Sequence, residues 1–175
     1  MTELPNRALF LDRLQSALKR SLRGNLRLAV MYLDMDNFKL VNDAFGHRVG
    51  DLLLHEVAQR LRLCVRDSDT IGRLGGDEFA ILLEDISNLQ DAALIAEKVL
   101  AALSAPYLLD GQTLTNAPSL GIAVYPVHGQ ERLPKSTGRY GGLATQKNPP
   151  RHGKIHHHQH SGWCGFPKPQ AEPSR

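Results

Sequence analysis

Two acidic spots hold the residues with which this sequence could do chemistry. Asp34-Met35-Asp36 runs directly into Asn37-Phe38-Lys39, and Asp77-Glu78 follows the pair Gly75-Gly76. Two carboxylates at about 4 Å repel by roughly 4 kcal/mol at an effective dielectric of 20. A divalent cation removes that penalty. Mg²⁺ is held by one or two carboxylates, with substrate phosphates and water supplying the rest. Glycines beside the second spot let a bulky ligand approach the backbone. If the spots meet, the chemistry is metal-assisted phosphoryl transfer. If they stay apart, they are solvated acids at a strand end and a turn. Spacing alone leaves both readings open.

The elements that must position these residues follow from periodicity. Residues 6–22 predict a helix, with Phe10, Leu11, Leu14, Ala17, Leu18 and Leu22 at three- and four-residue spacing. Pro5 suits its start and Gly24 its end. Residues 26–34 are a mostly apolar run ending in acid, which predicts a buried strand with Asp34 at its C-terminal end. A short helix over 37–45 is closed by Gly46. Another spans 51–66, with Leu53, Leu54, Val57, Leu61 and Cys64 inward. Runs 70–74 and 78–83 flank Gly75-Gly76, a hairpin signal because tight primed turns need positive φ. Residues 88–103 predict a helix and 113–125 a strand. The expected fold class is α+β, a largely antiparallel central sheet with surrounding helices. A hairpin paired beside the 26–34 strand would bring the acidic spots to one edge.

Composition divides the chain near Gln130. Residues 1–130 hold 13 Lys and Arg against 16 Asp and Glu, a net of −3, whereas residues 131–175 hold 8 against 2, a net of +6. The basic last quarter also has six of the ten prolines, five of the eight histidines and only nine apolar residues in 45. So little burial cannot offset chain entropy, so a disordered tail is expected at 131–175. The folded part is mildly acidic, which argues against nucleic acid as a partner. No run of 18 apolar residues exists, so no membrane helix is expected. The N-terminus has no basic stretch followed by an apolar block, and the two cysteines lie a hundred residues apart. A cytoplasmic location fits both.

Around the acidic spots the sequence resembles the GGDEF domain family, the diguanylate cyclases. Arg73-Leu74-Gly75-Gly76-Asp77-Glu78-Phe79 carries its signature, and Leu4-Pro5-Asn6-Arg7 is similar to its opening motif. Asp34 to Lys39 resembles the strand-end block. Asn42-Asp43, Phe45-Gly46-His47 and Gly50-Asp51 resemble the next, and Ser119 to Ala123 with Tyr125-Pro126 the late strand. The resemblance covers residues 2–130. It implies a fold like nucleotidyl cyclases and polymerase palms. It also implies condensation of two GTP into cyclic di-GMP and two pyrophosphates by an antiparallel homodimer. By motif position, Asp34, Asp77 and the Met35 carbonyl would bind Mg²⁺ or Mn²⁺. Asp77 and Glu78 would, by the same resemblance, form the catalytic acidic pair, with Glu78 as metal contact or proton acceptor. Lys39, with the backbone at Asn37 and Phe38, would meet the terminal phosphates. Asn42 and Asp51 would read the guanine edge, for which a carboxylate and an amide are suited. Arg66 and Asp69 match an Arg-x-x-Asp element that binds product and inhibits; alone, it reads as a surface salt bridge.

Other residues read more plainly. His47 belongs to a structural loop, His55 and His128 to the surface, Cys64 to the core. Phe10, Phe38 and Phe79 are packing residues. Glu3 replaces a family glycine, and Met1 stands inside the opening motif, so the family's usual upstream domain is not expected in this sequence. After Gln130 the family's Ala-Asp helix, Ala-Lys pair, Gly-Arg and final strand do not follow, so Lys135, Arg139, Lys147 and Arg151 receive no phosphate role. The charge reversal and lost periodicity suggest unrelated or out-of-frame sequence from about 131, and weak or absent cyclase activity. An alternative is an inactive module that binds GTP or cyclic di-GMP. His152, His156, His157, His158 and His160 form a tract of the kind that binds Zn²⁺ or Ni²⁺.

Overall fold

The computed structural model describes residues 2–127 and the backbone of a two-residue strand at Lys154–Ile155. Helix α1 (Arg7–Gly24) is capped by Asn6, whose side chain accepts from the Leu9 backbone N–H. Its left-handed C-cap is Asn25 (φ +49), not the expected Gly24, which stays helical. Asparagine reaches that region because its short polar side chain bonds locally. Strand β1 (Leu28–Met35) follows, then α2 (Phe38–Phe45), α3 (His47–Cys64), β2 (Thr70–Gly75), β3 (Glu78–Glu84) and α4 (Leu89–Ser104). A small hairpin, β4 (Tyr107–Leu109) and β5 (Gln112–Leu114), precedes β6 (Pro118–Tyr125) and β7 (Lys154–Ile155).

The main sheet runs β2-β3-β1-β6-β7 and is antiparallel except for β7, which pairs parallel with Ser119 and Leu120. β1 is apolar nearly throughout because both its faces are covered. Ala29, Met31, Leu33 and Met35 pack with α3 and α4 through Leu53, Val57, Leu61, Ala96 and Val99. Leu28 and Val30 point the other way, onto Phe10, Leu14 and Ala17 of α1. Phe10 lies so close to Gly72 of β2 that a Cβ there would come within 2.8 Å of its ring. Cys64 is buried, and Phe10, Phe38 and Phe79 pack into the two cores.

Two expected boundaries are corrected. α3 begins at His47, not at residue 51. Gly46 (φ +83) ends α2 by donating its N–H to the Asn42 carbonyl, and its own carbonyl accepts from Val49 and Gly50. One glycine thus replaces a loop, and His47 is an exposed first-turn helix residue. The expected 113–125 strand is broken. Asp110 and Gly111, at φ +50 and +76, form the turn between β4 and β5, an Asp-Gly hairpin signal. Residues 115–117, outside any strand, then lead into β6. The His tract, His128, Lys135, Arg139, Lys147 and Arg151 lie outside the described residues. So does nearly all of the expected tail.

Candidate active site

Asp34 is the penultimate residue of β1, opposite Glu78 on β3 and Ser119 on β6. The expected pairing of the hairpin beside this strand therefore holds, and the two acidic spots meet. The Asp77 carboxyl is within hydrogen-bonding reach of the Asp34 carboxyl. Partial burial, followed by the negative charges of Asp77, Glu78 and Asp36, pushes the Asp34 pKa above the usual carboxylate value. Pairing of β1 with β3 stops at Asp34, while pairing with β6 runs on to Met35 and Pro118. Met35 therefore has no β3 residue in register.

This donor set fits a hard divalent ion. Two carboxylates crowd one another at the cost that a cation relieves. At Gly75 and Gly76 an added Cβ would meet nothing within 4 Å, so there is open space over the turn. Among the described residues no group of three His, Cys, Asp or Glu could hold a metal. Such a site is not a closed protein cage; it leaves ligand positions for phosphate and water.

The segment after β1 is clamped from β6 and the residues just before it. Asp36 donates its N–H to the Ala117 carbonyl (2.9 Å), and its own carbonyl accepts from Asn116 Nδ2 (2.9 Å). Ser119 Oγ donates to Asp36 Oδ1 at 2.7 Å. Asn37, at φ +58, is the N-cap position of α2 and makes no side-chain cap bond. Phe38 turns inward, and Lys39 is exposed on the first turn. Asn42 sits on α2 directly over Gly50 of α3, where a Cβ would overlap its amide oxygen. Asp51 is the next residue, exposed. Asn42 and Asp51 are thus neighbours across the α2–α3 contact.

Arg66 and Asp69 lie at the opposite end of β2, about 17 Å of strand from the glycine turn. Asp69 Oδ2 accepts from the Arg66 backbone N–H (3.0 Å) and Oδ1 from that of Glu84 (3.4 Å). Their contact is a carboxylate on backbone, and no Arg66–Asp69 ion pair occurs among the described residues. The Arg66 side chain is exposed.

Some neighbours escaped sequence reasoning. Tyr32 donates its hydroxyl to Glu78, and its own pKa is raised by burial and then by that carboxylate. Its signal was its place two residues before Asp34, on the same strand face. Ser119 and Asn116 carried no signal without knowledge of the pairing partner.

The family described as "Diguanylate cyclase, GGDEF domain" matches residues 1–137. The chain is 50% identical over 132 residues to the bifunctional diguanylate cyclase/cyclic di-GMP phosphodiesterase MucR of Pseudomonas aeruginosa, covering 75% of this chain and 19% of that protein. It is 45% identical over 129 residues to the diguanylate cyclase TpbB of the same species, covering 73% and 30%. The chain therefore spans less than a third of the length of these relatives. The solved GGDEF domain of TpbB superposes with a TM-score of 0.71 at 45% identity, over 73% of this chain and 80% of that one. The GGDEF domain of DgcB from Caulobacter crescentus, solved with cyclic di-GMP, gives 0.67 at 27% identity over 74% of each. By motif, sheet order and these similarities, the chain belongs to the GGDEF domain family of diguanylate cyclases.

Proposed function

We propose that residues 1–130 form a GTP-binding half-site of a diguanylate cyclase, and that two such half-sites face each other in an antiparallel homodimer. The observation that carries this is the convergence of Asp34 and Asp77 at the ends of β1 and the glycine turn. Those two carboxylates, with the Met35 carbonyl, hold Mg²⁺ or Mn²⁺. Bound there, the ion neutralises the carboxylates and the phosphates of GTP. Lys39 and the backbone at Asn37 and Phe38 bind the terminal phosphates, where a lysine acts as a point charge. Asn42 and Asp51 orient the guanine. Glu78, held by Tyr32, accepts the proton of the 3′-hydroxyl. Each 3′-oxygen bonds to the α-phosphorus of the opposite GTP, the bond to the β-phosphate oxygen breaks, and pyrophosphate leaves. Two such steps yield one cyclic di-GMP and two pyrophosphates.

Arg66 and the free lone pairs of Asp69 form a separate product site beyond the hairpin. A second reading is a module that binds GTP or cyclic di-GMP without turnover. It is favoured by the sequence after Gln130, in which the motifs of the family's following helix do not occur. Among the described residues no helix is long and apolar enough to cross a membrane. Incubation of the purified chain with GTP and Mg²⁺, with products separated chromatographically, tests the two readings. Cyclic di-GMP that disappears in Asp77→Ala supports the cyclase. Nucleotide binding with no product in either protein supports the module.

A further inference from the structure

Gly75 and Gly76 have no side chains to hold the turn that carries Asp77, and Gly76 sits in the left-handed region at φ +48. The β2–β3 register also shifts between Arg73 and Gly75, so the regular ladder is interrupted where the turn begins. The Arg73 guanidinium takes over. It donates through Nε at 2.9 Å and through Nη2 at 2.7 Å to the Gly76 carbonyl. The Arg73 backbone N–H donates to the Pro5 carbonyl at 2.9 Å. Residue 73 is thereby fastened to the segment that leads into α1, while its side chain holds the turn. Arginine suits this task because its planar fork loses less freedom per bond formed than a lysine does.

We propose that Arg73 is a positioning residue for the metal site: by gripping the Gly76 carbonyl it fixes the glycine turn and keeps the Asp77 carboxylate against Asp34. The guanidinium acts through the turn. This role rests on the reading of Asp34 and Asp77 as a metal centre.

The test uses the 175-residue chain with Arg73→Met, which keeps the apolar stem, and Arg73→Lys, which keeps one donor. The first readout is amide hydrogen exchange without metal. Exchange at residues 75–77 should rise about tenfold in the Met variant and less in the Lys variant, with residues 80–83 unchanged. The second is the ratio of affinities for a non-hydrolysable GTP analogue in Mg²⁺ and in EDTA. That ratio should fall about tenfold in Arg73→Met and by an intermediate factor in Arg73→Lys, while the EDTA affinity and the melting temperature hold. Unchanged turn exchange, or an unchanged Mg²⁺ ratio, overturns the role. So does a loss of EDTA affinity that tracks a fall in melting temperature. If the Met variant fails to fold, the Lys variant decides by the same readouts. A wild-type ratio of one, with the turn still loosened by Arg73→Met, shows that the metal reading has failed, and the role falls with it.

Discussion

A carboxylate that is costly to ionise is a carboxylate prepared for a cation. Asp34 is partly desolvated and faces Asp77, Glu78 and Asp36, which raises its pKa. In the metal-free protein the folded state therefore holds a proton more tightly than the unfolded chain. Its contribution to stability is fully present below the ordinary carboxylate pKa and is lost as pH rises through the raised value. Asp34→Asn removes the charge and the repulsion but also a proposed anionic metal ligand. At pH 7 without metal the variant should melt higher, by about 2 °C for a partly exposed site. Differential scanning calorimetry in EDTA checks this, and Mg²⁺-dependent nucleotide binding should fall tenfold or more. A lower melting temperature would mean that Asp34 holds the fold by a contact other than those described. The acids of this site were legible in the sequence because they flank a strand end and a glycine pair. Tyr32 and Ser119 were not, because a cross-strand neighbour is set by sheet order.

At the scale of elements, the proposed guanine side depends on how closely α2 and α3 approach. Gly50 is buried under Asn42, and Gly46 joins the helices without a loop. The sequence placed the start of the second helix four residues late because a glycine at residue 46 reads first as a stop; here it is also a start. It likewise ran 113–125 together, although Asp110-Gly111 announces a hairpin. By contrast β1, with apolar residues on both faces, was legible from its run alone. Gly50→Ala puts a Cβ into the Asn42 amide, with Phe38 Cζ at 3.3 Å on the other side. Overpacking of this kind costs about 1–3 kcal/mol. The expected outcome is a melting temperature lower by several degrees and a loss of preference for GTP over ATP of about tenfold or more. Competition binding with the two nucleotides measures it. Retained preference after such a clash would remove Asn42 from the guanine edge.

At the scale of the whole molecule, the acidic centre and the segment proposed to bind the phosphates are built from residues before 127, whereas charge and composition reverse after Gln130. In the family that the sequence resembles, the next helix brings a lysine and an arginine to the phosphates, and no motif here supplies them. A hydrogen bond to a charged group contributes about 1.5–3 kcal/mol. Two such contacts made in the transition state amount to about 3 kcal/mol or more, and each 1.36 kcal/mol is a factor of ten in rate. The chain should therefore bind GTP with Mg²⁺ yet form cyclic di-GMP at least about a hundredfold more slowly than the TpbB GGDEF domain assayed beside it. The residual rate should rise with the square of protein concentration at low concentration, because in the proposed mechanism each product needs two half-sites. Rates equal to that domain's would show that the phosphate contacts come from elsewhere in this chain, with Lys135, Arg139 and Lys147 as the first positions to substitute. A rate linear in protein at every concentration would remove the facing pair of half-sites from the mechanism.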